Sequence, residues 1–301
     1  MMQIPKINDT RWYVEAVANI LEHSRQNYAY WEKQISDYLF DIGISKCDFT
    51  SKEYVSLFEL FITAPYSELV VIKERVQKMM SNSRKDISSR ILLTYRYFSK
   101  YNINNLIVNK MQVQSCPYCN ESYVMNRNPQ KTMAQLDHFW NKKDHPLFAI
   151  CLYNLIPCCY ACNHIKLKKD LLVSPYNESY DRTQFKISYM IRTLSSDTSD
   201  SIETMFLYNG ANDIKHDIEL LHIDDLYKNH NNVIWGLLKK REMYSDSSID
   251  ELWNQFGDLF DSKEELINSI FSYYIDEKEM LNNPFSKLAN DILVELGVKK
   301  Q

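Results

Sequence analysis

The chain has 301 residues, 45% of them hydrophobic and 25% charged, with a net charge of −4, which is the make-up of an ordinary soluble protein able to bury a sizeable core. Five glycines and no glycine-rich phosphate loop argue against a nucleotide-binding α/β domain. No run approaches the ~20 apolar residues of a membrane span, and residues 1–13 lack a signal-peptide core, so the expectation is a cytoplasmic protein with no membrane partner.

Apolar residues at helical spacing predict a helix over roughly Trp12 to His23 and a second over Tyr28 to Phe40, with Gly43 beyond its end. Thr50 and Glu53 make a capping-box pair before the periodic run YVSLFELFI, which Pro65 then stops. ELVVIKERVQKMM (68–80) and DISSRILLTYRYFSKY (86–101) carry the same spacing, so residues 1–112 read as a helical bundle serving as scaffold or partner contact. Past a central segment, 113–175, the region 176–301 opens with two strands, QFKISYMI (184–191) and ETMFLY (203–208). Helices follow. HIDDLYKNHNNVIWGLLKKREMY (222–244) reads as the longest, Ser262 with Glu265 caps another, and PFSKLANDILVELG (284–297) begins on proline and ends on glycine. The fold class is mainly α.

Charge is unevenly spread. Residues 115–170 hold seven Lys and Arg against four Asp and Glu, whereas 171–301 hold 13 against 23. A polyanion would be met by the middle of the chain and repelled by much of its end.

Six of the seven cysteines fall in that middle, five of them in or next to two Cys-x-x-Cys pairs. Two Cys-x-x-Cys pairs, Cys116 with Cys119 and Cys159 with Cys162, supply four thiolates for one tetrahedral Zn²⁺. Cys158 is an alternative ligand, but Cys159 gives the two-residue spacing. Cys47 and Cys151 read as small buried hydrophobes. Between the pairs, AQLDHF (134–139) reads as a short strand whose neighbouring side chains face opposite ways. Asp137 can meet a hard divalent cation through oxygen, while His138 can act on water as a general base. Asn154, Asn163, His164 and Lys166 follow, and the turn at Cys162 starts a helix with Asn163 in its first turn. A ligand from that turn opposite Asp137 makes a two-point cradle for Mg²⁺ or a similar ion. Lys142 and Lys143 suit phosphate contacts. His145 reads as a solvated loop histidine, and the 21 tyrosines as core or subunit contacts.

The order Cys-x-x-Cys, Asp-His, Asn-Leu, Cys-x-x-Cys-Asn, x-x-Lys resembles the HNH endonucleases. That resemblance implies a small zinc-stapled ββα-metal module flanked by the helical regions. It implies that His138 activates the attacking water, that Asp137 ligates a catalytic Mg²⁺ or Mn²⁺, and that Asn154 braces the hairpin loop. Asn163 takes the last metal-ligand position, though His164 directly follows it and the choice stays open. Lys166 sits where the family's lysine lies close to the scissile phosphate. SCPYCN, AQLDHF, YNLIPCCYACNHIK, SPYNESYD and LYKNHNNVI look like the HNH subunits of Septu-type and retron-associated antiphage defence systems, which work beside an ABC-type ATPase subunit. The expected substrate is nucleic acid, with DNA favoured. An RNA (tRNA) substrate and a non-catalytic zinc-stapled adaptor stand as alternatives.

Overall fold

In the computed structural model, residues 2–23, 27–51, 53–54, 56–79, 103–128, 131–193, 198–272 and 280–298 are described. The first two helices form where the periodicity predicts. In α1 (Arg11–Glu22) the stripe Tyr13, Val14, Val17, Ile20 and Leu21 is buried. α2 (Tyr28–Asp41) buries Trp31, Ile35, Tyr38 and Leu39, and its Asn27 cap accepts the Tyr30 N–H. Gly43 follows in a left-handed conformation, φ +78°, which only glycine adopts without cost.

The next helix departs from expectation. α3 (Leu57–Thr63) begins at Leu57, because the Thr50 N–H and hydroxyl both bond the Glu68 carboxylate rather than Glu53, so no capping box forms. α3 ends before Pro65 as predicted, and α4 (Tyr66–Met79) follows. The predicted helix over 86–101 lies outside the described residues. α5 (Ile103–Met111) precedes the first cysteine pair.

Residues 3–113 and 124–179 form one compact unit. It holds α1 to α5, the short strands β1 (Asn126–Asn128) and β2 (Lys131–Thr132), the antiparallel pair β3 (Gln135–His138) and β4 (Leu155–Cys158), and α6 (Tyr160–Lys166). The β3–β4 connection is tied into the helical bundle. The buried Tyr13 hydroxyl donates to the Ile150 carbonyl at 2.7 Å, and the Phe61 ring meets Phe148 edge-on at 5.6 Å. From the C-terminal side, the Tyr176 hydroxyl donates to the Leu155 carbonyl at 2.8 Å. These contacts fix the β3–β4 connection and the start of β4.

Residues 1–2, 114–123 and 180–301 form the other unit. β5 (Phe185–Ile191) and β6 (Ile202–Tyr208) pair as an antiparallel hairpin. Beyond them lie α7 (Asn212–Leu220), α8 (Ile223–Lys228), α9 (Asn231–Met243), α10 (Asp246–Phe256), α11 (Lys263–Phe271) and α12 (Ser286–Glu295). The single long helix expected over 222–244 is two helices, α8 and α9. Asn231 opens the second one by donating to the Ile202 carbonyl and accepting from the Thr204 hydroxyl, so β6 sets the break. Ser262 caps α11 as predicted. α12 packs on β5, where Asp291 accepts the Ile187 N–H at 2.8 Å and pairs with Lys287 at 2.7 Å.

Asn120 ties the first cysteine turn to this unit. It sits in a left-handed conformation, φ +52°, which asparagine tolerates better than most residues. Its amide donates to Ser115 Oγ and to the Met280 and Asn283 carbonyls and accepts from the Lys287 N–H, while its own carbonyl accepts from Phe285. Among the described residues no helix is long and apolar enough to cross a membrane.

Candidate active site

β3 and β4 run antiparallel with Asp137 opposite Ile156 and His138 opposite Leu155. All four residues of β4 are buried, and Cys159 then caps α6, accepting the Cys162 N–H. A hairpin and one helix thus carry every candidate catalytic residue. Asp137, His138, Asn154 and Lys166 are all buried.

Adjacent positions on β3 send Asp137 and His138 to different partners. His138 Nε2 lies 3.1 Å from the Ala149 carbonyl. A carbonyl only accepts, so Nε2 carries the ring proton and Nδ1 carries the lone pair. Burial, and then the charges of Lys142 and Lys166, lower the His138 pKa to about 3. The ring is therefore neutral near pH 7.

Asp137 faces Lys166. The ammonium lies 3.1 Å from each carboxylate oxygen and 2.8 Å from the His138 carbonyl. Three acceptors match the three protons of an ammonium, which is what allows this side chain to be 0% exposed. Asn163 stands three residues before Lys166 on α6 and so shares the helix face turned to the hairpin. His164 lies off that face. It is exposed, and its ring stacks on Tyr160 at 5.5 Å and 10°.

Asn154 closes the loop between the strands. Its Oδ1 accepts the Trp140 N–H at 2.8 Å, and its Nδ2 donates to the Trp140 and Phe148 carbonyls at 3.3 and 3.0 Å. Its backbone carbonyl accepts from Phe139 at 2.9 Å. This one residue pins the chain just after His138 and just before Ala149.

The thiols of Cys116, Cys119, Cys159 and Cys162 are buried, and their sulfurs all lie within 4.8 Å of one another. A Zn–S bond of about 2.3 Å puts tetrahedral sulfurs about 3.8 Å apart, so the donor number, type and spacing fit a metal ion such as zinc. Two of the sulfurs also accept backbone N–H groups, Cys119 from Glu121 and Cys159 from Cys162. Cys158 is outside the cluster, and burial pushes its thiol pKa up. Cys151 is buried as expected, but Cys47 is exposed, because it lies on the outward side of a short turn, 46–48. Among the described residues the four cysteines are the one group of three or more His, Cys, Asp or Glu side chains placed to share an ion. Comparisons of the chain with family models, curated proteins and solved structures gave no match.

Asp137 and Asn163 have the oxygen chemistry of a hard divalent-ion site, and such an ion would compete with Lys166 for the same carboxylate. Lys142 is half-buried, and Lys143 is exposed. Burial lowers the Lys142 pKa, with the Asp137 charge opposing. Sequence reasoning missed the Ala149 carbonyl as the partner of His138, because it lies eleven residues on, across a loop whose path has no local signature.

Proposed function

We propose that this chain is a metal-dependent endonuclease of the HNH kind, hydrolysing phosphodiester bonds in nucleic acid. The observation that carries the reading is the buried Asp137-His138 pair, in which His138 is held neutral with Nε2 committed to Ala149. Nδ1 of such a ring can take a proton from water, and the resulting hydroxide attacks phosphorus as the P–O3′ bond breaks and the leaving oxygen takes a proton from solvent. The charge of a bound phosphodiester would raise the His138 proton affinity from its low resting value as the water is deprotonated. Asp137 with Asn163 would hold Mg²⁺ or Mn²⁺, which supplies charge stabilisation to the phosphate and the departing oxygen. His164, stacked on Tyr160 off the hairpin-facing side of α6, is the weaker candidate for that ligand. Lys166 acts as a positioning residue, holding the Asp137 carboxylate and the His138 backbone together. Zinc on the four cysteines is structural.

DNA is the favoured substrate, and the motif resemblance favours the effector of an antiphage complex acting with an ATPase subunit. One observation favours the adaptor reading instead: the Asp137 carboxylate already has a cation on both of its oxygens. Plasmid nicking with Mg²⁺ or Mn²⁺ separates the two. His138→Ala should lose about 10²- to 10⁴-fold in rate while far-ultraviolet circular dichroism shows the fold retained. Full metal-dependent cleavage by that variant with the fold intact sinks the mechanism, and an inert wild type with one tightly held zinc and no affinity for Mg²⁺ or Mn²⁺ favours the adaptor.

A further inference from the structure

We propose that Lys73, Lys142 and His145 form a phosphate-binding subsite that seats a phosphodiester beside the one cleaved at His138. The proposal rests on the nuclease reading above. It starts from the turn at 141–145. The Asn141 carbonyl accepts the N–H groups of Asp144 and His145, and its Oδ1 accepts the Lys143 N–H. That bonding makes the turn a fixed platform. Lys142 is presented close enough to Asp137 and His138 for their charges to interact. The same turn buries the Asn141 Nδ2, which has no acceptor among the described residues.

Trp140 stands immediately before the turn, with its N–H on Asn154. Its buried ring is stacked by Tyr66 at 5.5 Å and 28°, and Lys73 Nζ from α4 sits 4.9 Å from its centroid. A helix remote in sequence thereby delivers an ammonium to the flank of the catalytic hairpin, held over an aromatic face. Lys73 in turn is close enough to be the strongest charge acting on His145.

These three groups are half-buried and of like sign when protonated. Burial lowers the pKa of each one. Asp170 and Glu74 offset this for Lys73, and Asp170 with Asp144 for His145, but among the described residues Lys73 makes no ion pair and the His145 ring no hydrogen bond. Partly dried ammonium groups beside an aromatic wall, with a neutral imidazole able to donate a hydrogen bond, are stabilised by an anion with several acceptor oxygens, and a phosphodiester has one charge and unesterified oxygens to offer.

The test uses the full chain carrying His138→Ala, so that probes survive. Fluorescence anisotropy measures binding of 12-nucleotide single-stranded DNA, single-stranded RNA and duplex DNA across a salt series, which separates the nucleic-acid sources. Lys73→Gln should lower the slope of log affinity against log salt by about 0.7 for single strands and about 0.9 for duplex, and Lys73→Arg should restore it. A merely structural lysine would move the melting temperature and leave the slope alone. An unchanged slope in Lys73→Gln, a Lys73→Arg variant no better than Lys73→Gln, or a parent that binds none of the probes overturns the subsite. A falling slope together with a wild type that cuts nothing in Mg²⁺ or Mn²⁺ keeps the subsite and sinks the nuclease reading.

Discussion

Asn154→Ala is the substitution whose cost can be worked most directly from the structure. The side chain is 1% exposed and makes three hydrogen bonds, one accepted from Trp140 and two donated to the Trp140 and Phe148 carbonyls. At about 1 kcal/mol net for each bond, the loss is about 3 kcal/mol. A buried N–H left without an acceptor and the small void left by the amide add roughly another 1–2 kcal/mol. Urea unfolding at pH 7 followed by far-ultraviolet circular dichroism should therefore show a loss of about 3–5 kcal/mol in the transition of the 3–113 and 124–179 unit. Amide exchange adds the location, since the Trp140 N–H should lose protection first. Asn154→Asp is the matched control, because it preserves volume and the Trp140 acceptor but turns a carboxylate oxygen on two carbonyls, so it should be at least as damaging. A loss below about 1 kcal/mol in both variants, with the urea slope unchanged, would show that the loop is held by something other than Asn154.

Two further outcomes are expected. His138 has a folded-state pKa of about 3 against about 6.5 in the unfolded chain, so the unfolded state takes up the proton first as pH falls and stability drops below pH 6.5. Between pH 7.5 and 5 the ring should cost about 2 kcal/mol, at about 1.36 kcal/mol per pH unit below 6.5; His138→Gln should remove that increment from the pH dependence of urea unfolding, and an identical pH dependence in both proteins refutes the assignment. Elemental analysis should find one zinc per chain, lost in Cys162→Ser, and a metal-free purified wild type would refute the four-thiol site.

Some of this was legible from local pattern alone. α1 and α2 follow from apolar spacing, β5 and β6 from aromatic alternation, and β3 from six residues around Asp137-His138. The failures have a common physical origin, a local signal outcompeted by a distant partner. Glu68, eighteen residues from Thr50, took the bonds that Glu53 was expected to make. The edge of β6 split a periodic run at Asn231. Lys166 carries no sign in sequence that it will be buried, since its burial depends on α6 packing onto β3 so that Asp137 and a carbonyl can surround the ammonium. The cysteine spacing, by contrast, is a local constraint with one good geometric solution, and the four sulfurs that it singles out are the four that gather.

The bonding of Asn120 has a consequence for how the protein is made. The groups that hold its side chain, the Met280 and Asn283 carbonyls and the Lys287 N–H, lie about 160 residues later in the chain. At roughly 5–20 residues per second of synthesis, the turn bearing Cys116 and Cys119 waits on the order of 10 to 30 seconds for its anchor to be translated. During that interval the turn with the first thiol pair lacks this anchor, and gains it only once residues 280–287 have been made.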